Sequence, residues 1–103
     1  MYIVFEVERA NVRKADGVLK DDLVSRQSIV VRDAKVMDIK EFKDKDVQFI
    51  LIEGGSQEAL DRAKKLFEGL GKPLPDKDAA LVHTKIHEQD ESAAAGVGML
   101  FGD

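Results

Sequence analysis

The feature that most constrains this chain is a change of period inside "VQFILIEGGSQEALDRAKKLF", Val47 to Phe67. An apolar run stops at Gly54-Gly55-Ser56, and apolar residues then recur at Ala59, Leu60, Ala63, Leu66, Phe67 and Leu70. Val47–Glu53 has strand length, and the continuous apolarity of Phe49–Ile52 predicts a central strand covered on both faces. The second pattern is one face of a 3.6-residue period, with Asp61, Arg62, Lys64, Lys65 and Glu68 opposite. Ser56 is a natural N-cap, and Glu58 complements the positive end of the helix dipole. Gly69, Gly71 and Pro73 then stop the helix.

The remaining elements follow from the same two periods. "YIVFEVE" (Tyr2–Glu8) reads as a strand with Ile3, Phe5 and Val7 on its core face and Tyr2, Val4, Glu6 and Glu8 on the other. Between residues 9 and 27, Val12, Ala15, Val18, Leu19 and Leu23 fall at helical spacing behind Asn11 as N-cap. Asp16-Gly17 competes as a hairpin turn, and Gly17 within a helix costs about 1 kcal/mol relative to alanine. A helix is the first reading there and a hairpin the alternative. Ser28–Ile39 reads as a strand, Lys40–Asp46 as a charged connection and Lys72–Asp78 as a turn. Ala79–Glu88 reads as a fourth strand with Ala80, Val82, Thr84 and Ile86 on one side, followed by a small apolar tail, helical or loosely ordered.

The expected order is therefore β-α-β-β-α-β plus an apolar C-terminal tail, one α+β domain over residues 1–103. Across residues 2–88 this order resembles the ferredoxin-like superfold, a four-stranded antiparallel sheet with two helices on one face. The resemblance rests on element order alone, and a superfold does not imply a function.

Composition removes several function classes. The chain has 103 residues and no cysteine, which excludes zinc–thiolate sites, iron–sulfur clusters and thiol nucleophiles. With 16 basic and 20 acidic side chains, the net charge of −4 offers no electrostatic footprint for nucleic acid. Met1 runs straight into "YIVFEV" without a basic region, so no signal peptide is expected, and no apolar run nears the roughly 20 residues that span a bilayer. A cytoplasmic location without a membrane partner is the expectation.

Three groups of residues are candidates for a site. Gly54, Gly55 and Ser56 stand where a phosphate cradle would stand. They lack the longer glycine loop and Lys-Ser/Thr ending of a P-loop, so a tight turn with a capping serine is the plainer reading. His83 and His87 would suit a metal at i, i+4 on a helix, although the H-E-x-x-H protease pattern is absent. On the predicted strand they stand about 13 Å apart, too far for one ion, with Lys85 between them. No metal and no cofactor is therefore expected. Antiparallel to the first strand, these histidines would face Glu6 and Glu8 in a charge ladder worth roughly 0.2–1 kcal/mol per pair. Glu6, among apolar neighbours, is the carboxyl open to a shifted pKa. The serines lack any nucleophile-elbow context.

If helices cover one sheet face, the other would expose Val4, Ile50, Ile52 and Leu81, an apolar patch that needs a cover. The candidates are the 93–101 tail, with Met99, Leu100 and Phe101 as anchors, or a second copy. The expectation is a non-catalytic binding or regulatory module that self-associates or takes a protein partner or an unidentified small ligand. A small enzyme using the open sheet face and an assembly subunit are the alternatives.

The most specific consequence concerns Phe67. Its truncation to alanine should cost about 3–5 kcal/mol if it is a packed core residue. A urea titration reads this directly; a loss under about 1 kcal/mol would remove Phe67 from the core.

Overall fold

In the computed structural model, residues 1–37, 39–42 and 44–101 are described, the side chains as far as Gln89. The strands are β1 (Tyr2–Glu8), β2 (Ser28–Asp33), β3 (Val47–Glu53) and β4 (Lys72–Pro73). The helices are α1 (Val12–Val18), α2 (Gln57–Leu66) and α3 (Asp76–Phe101). The four strands form one sheet in the order β2-β3-β1-β4, antiparallel at every junction. No helix among the described residues is long and apolar enough to cross a membrane.

Register decides which side chains share a face. Ile3 stands opposite Ile52 and Phe5 opposite Ile50, whereas Val4 stands opposite Leu51 and Glu6 opposite Phe49. Ile50 and Ile52 therefore belong with Ile3 and Phe5, not with Val4 as the strand pattern implied. This first face packs on Ala15 of α1 and on Leu60, Ala63 and Phe67. The Phe5 and Phe67 rings stack with centroids 4.3 Å apart. The second face carries Val4, Val47, Phe49 and Leu51, and it packs on Ala79, Val82 and Ile86 of α3. Both faces are covered, which is why β3 reads as an unbroken apolar run.

Segment α3 is the main departure from the expected order. Ala79–Glu88 is helix, not a fourth strand. Its buried residues are Ala79, Val82 and Ile86, spaced by three and four, while Ala80 and Thr84 are exposed. Pro75 and the acidic first turn of Asp76 and Asp78 are the start signal that opens it. The fourth strand is instead the short β4. Gly69, at φ +80°, ends α2's last turn in the left-handed region that favours glycine. At Gly71 a Cβ would stand 2.9 Å from Val7 Cγ2 and 3.0 Å from the Glu6 carbonyl oxygen, so only glycine brings the chain this close to β1.

Helices therefore lie on both sides of the sheet rather than on one: α1 and α2 against the first face, α3 against the second. The helical option for residues 12–18 is realised, and the Asp16-Gly17 hairpin is not. The strand expected over Ser28–Ile39 ends at Asp33, whose carboxylate accepts the Lys35 N–H at 2.9 Å. Beyond it Ala34, Met37, Ile39 and Phe42 turn inward, so the charged connection also carries core. The cover expected from the tail comes from the first half of α3; the anchoring roles of Met99, Leu100 and Phe101 lie outside the described side chains.

Polar contacts tie the loops to this frame. Arg62 of α2 donates from Nε and Nη2 to the Asp21 carboxylate at 2.9–3.1 Å, and the same carboxylate accepts the Leu23 and Val24 N–H groups. At the far end of the sheet Arg9 bridges Asp33 and Asp46, each at 2.8 Å. The Arg62 hydrogen bonds hold the Asp21 carboxyl below the usual carboxylate range. A lowered native pKa means that Asp21 stabilises the fold fully above the unfolded carboxylate value and loses that contribution as pH falls through its own. Asp21→Asn should therefore lower the urea midpoint at neutral pH, and the two proteins should converge in acid. A gap that stays constant down the pH scale would contradict this.

Candidate functional site

The last residue of β3, Glu53, lies between Tyr2 of β1 and Ser28 of β2 in the sheet register. Alternation puts it on the same face as Leu51, the face that α3 covers. Across it, α3 buries Val82 and Ile86, so the residue after each, His83 and His87, stands on the flank of the helix stripe. One turn apart on the same flank, both rings reach Glu53. His83 Nε2 lies 2.9 Å from Glu53 Oε2, and His87 Nε2 lies 3.0 Å from Glu53 Oε1.

The rings are held by more than the carboxylate. The Tyr2 ring stacks on His83 with centroids 3.9 Å apart and planes 7° from parallel. The two imidazoles meet edge to face at 4.4 Å. The His83 hydrogen bond is the largest influence on the Glu53 carboxyl; burial opposes it, and the weaker His87 hydrogen bond and the two rings' charges help to hold the carboxyl below its usual value. An ionised carboxylate only accepts, so both contacts place a proton on Nε2 of each ring. The site is reachable from solvent: the side chains of His83, Glu53 and His87 are 24%, 32% and 47% exposed.

Chemically, the cluster offers two imidazole nitrogens and one carboxylate oxygen, all within 4.8 Å of one another. This donor set suits a cation of borderline softness. The separation that a strand would impose on the two histidines does not apply, because both lie on helix α3, and the partner that completes the set is Glu53 rather than Glu6 or Glu8.

No family model, no curated protein and no solved structure matches this chain.

The other sequence candidates fall elsewhere. Glu6 accepts from Lys45 Nζ at 3.1 Å and borders a crevice of about 310 Å³ with Glu8, Asn11 and Lys72, with neither histidine in its lining. Gly54, Gly55 and Ser56 form the turn that leaves Glu53. The Gly54 N–H donates to the Met1 carbonyl at 3.0 Å, and a Cβ at Gly54 would strike the Gln27 side chain. Ser56 Oγ accepts the Ala59 N–H at 3.1 Å as the N-cap. Through these contacts the turn holds the end of β3 in place. Glu53 itself escaped sequence reasoning, because its partners come from 30 and 34 residues away.

If apolar packing docks α3 and the polar cluster merely decorates its flank, the two kinds of residue should separate in stability. Ile86→Ala should cost about 2–5 kcal/mol. His87→Ala should cost less than about 1 kcal/mol, the scale of exposed polar pairs. Equal losses in urea titrations of the two variants would show that the cluster is part of the fold's main support.

Proposed function

We propose that this chain is a non-catalytic binding module built on the ferredoxin-like strand order, with its ligand site at Glu53, His83 and His87. The observation that carries the proposal is the convergence of two imidazoles and a carboxylate, from a helix and a strand, at a solvent-reachable edge. The antiparallel order with β1 and β3 in the centre supports the superfold reading, α3 being an added cover on its second face. Helix and strand hold the three groups on regular elements, which is the support a preorganised site needs.

Binding rather than catalysis is favoured by openness. The three groups sit at a partly exposed edge, whereas catalytic pockets enclose their substrates and exclude water. An enzyme that pairs Glu6 with His83 is disfavoured, since Glu6 is engaged by Lys45 at a separate crevice. Self-association is a second reading, favoured by one observation. Strand β2 is the edge of the sheet, and an edge strand presents unpaired backbone groups that a second copy can extend.

A thermal-shift panel on tag-free protein tests the first reading, with zinc, magnesium, phosphate and citrate as probes. At least one probe should raise the melting temperature of the wild type and fail to do so in Glu53→Gln. A panel in which no probe distinguishes the two proteins would overturn the proposal. Sedimentation of the same samples reads the second: a dimer that persists on dilution supports it, and a monomer at every concentration refutes it.

A further inference from the structure

We infer that Glu53, His83 and His87 take one divalent late transition-metal ion, zinc being the best fit. The inference rests on the binding-site reading above and adds the ligand's chemical class. Two imidazoles and one carboxylate are a common zinc donor set, and nitrogen donors disfavour magnesium and calcium, which prefer oxygen.

Geometry supports a single ion. Bonds of about 2.1 Å to a tetrahedral zinc place donor atoms roughly 3.4 Å apart. The two Nε2–carboxylate contacts are 2.9 and 3.0 Å, and all three donor atoms fall within 4.8 Å. Glu53 and His87 are both partly exposed, so their side chains have room to adjust around an ion. The backbone spacing is already set by the buried Val82 and Ile86. Tyr2, stacked on His83, fixes the plane of the most buried ring, so the first ligand is preorganised. Exposure leaves at least one coordination position to water, as in an open site rather than a closed structural one.

Electrostatics point the same way. Lys85 is two residues from both histidines and therefore on the opposite side of the helix, in a groove with Lys77, Thr84 and Glu88. It does not stand over the cluster. The carboxylate provides the negative charge that offsets part of the ion's own. On loading, each Nε2 must give up its proton to ligate the metal, which leaves each ring with its proton on Nδ1.

That proton shift gives a direct readout. Tag-free protein is titrated with zinc at neutral pH by calorimetry, with magnesium as control, and long-range proton–nitrogen spectra of the histidine rings follow the same titration. The expected result is one zinc ion per chain, a switch of both rings from the Nε2–H to the Nδ1–H form, and no response to magnesium. His87→Ala and Glu53→Gln should each weaken zinc by about tenfold or more, since even the loss of a group that only orients a ligand costs about that much. Both positions are exposed enough for the variants to keep the wild-type circular dichroism. Zinc binding unchanged by either variant, more than one weak ion per chain, or rings that keep their proton on Nε2 would overturn the inference. If zinc fails while phosphate or citrate still shifts the wild type and not Glu53→Gln, the binding-site reading stands and only the metal falls.

Discussion

The structure depends on the burial of β3 on both faces. Ile50 and Ile52 point into one core and Val47, Phe49 and Leu51 into the other, so a single seven-residue strand joins both halves of the interior. Each fully buried side chain of this kind is worth roughly 1.5–3 kcal/mol. A strand with two apolar faces cannot stop at one layer of helices. That requirement calls α3 onto the second face, and the arrival of α3 creates the polar cluster at its edge.

Glu53 is where β3 leaves the interior. The strand alternation that buries Leu51 continues to Glu53, but at the sheet's end the residue is only partly covered, with 32% of its side chain exposed. A carboxylate at that position would be unfavourable deeper in the core, and at the rim it finds two donors from α3. Each histidine follows a buried residue, Val82 or Ile86, so the helix phase that fills the core also aims the rings. The site is thus a by-product of packing geometry that chemistry can use, with Tyr2 completing it from the neighbouring strand.

How legible this was differs by element. Helix α2 was readable because its stripe, its serine cap and its glycine stop agree, and such agreement across levels is what specifies structure. Strands β1 and β3 were readable from length and β-branched content. Segment 79–88 was misread because Val82 and Ile86 satisfy both a strand alternation and a helical turn. Small residues at Ala80 and Thr84 did not contradict the alternation, while Ala79 and the Pro75-Asp76 start favoured the helix. The two faces of β3 were sorted with the wrong neighbours because face assignment needs the cross-strand register, which pairs Ile3 with Ile52. The cluster was half visible: the histidine spacing was noticed, but Glu53 became its partner only through tertiary packing.

Docking of α3 brings His83 beneath Tyr2 and beside Glu53, and the cluster depends on it. Nuclear Overhauser spectra of the tag-free protein test this most directly. With centroids at 3.9 Å, the Tyr2 and His83 rings should give strong cross-peaks between ring protons, accompanied by mutual ring-current shifts that vanish in Tyr2→Leu. Absent cross-peaks, with residues 79–89 exchanging their amide protons as fast as an unfolded peptide, would contradict the docking and with it the site.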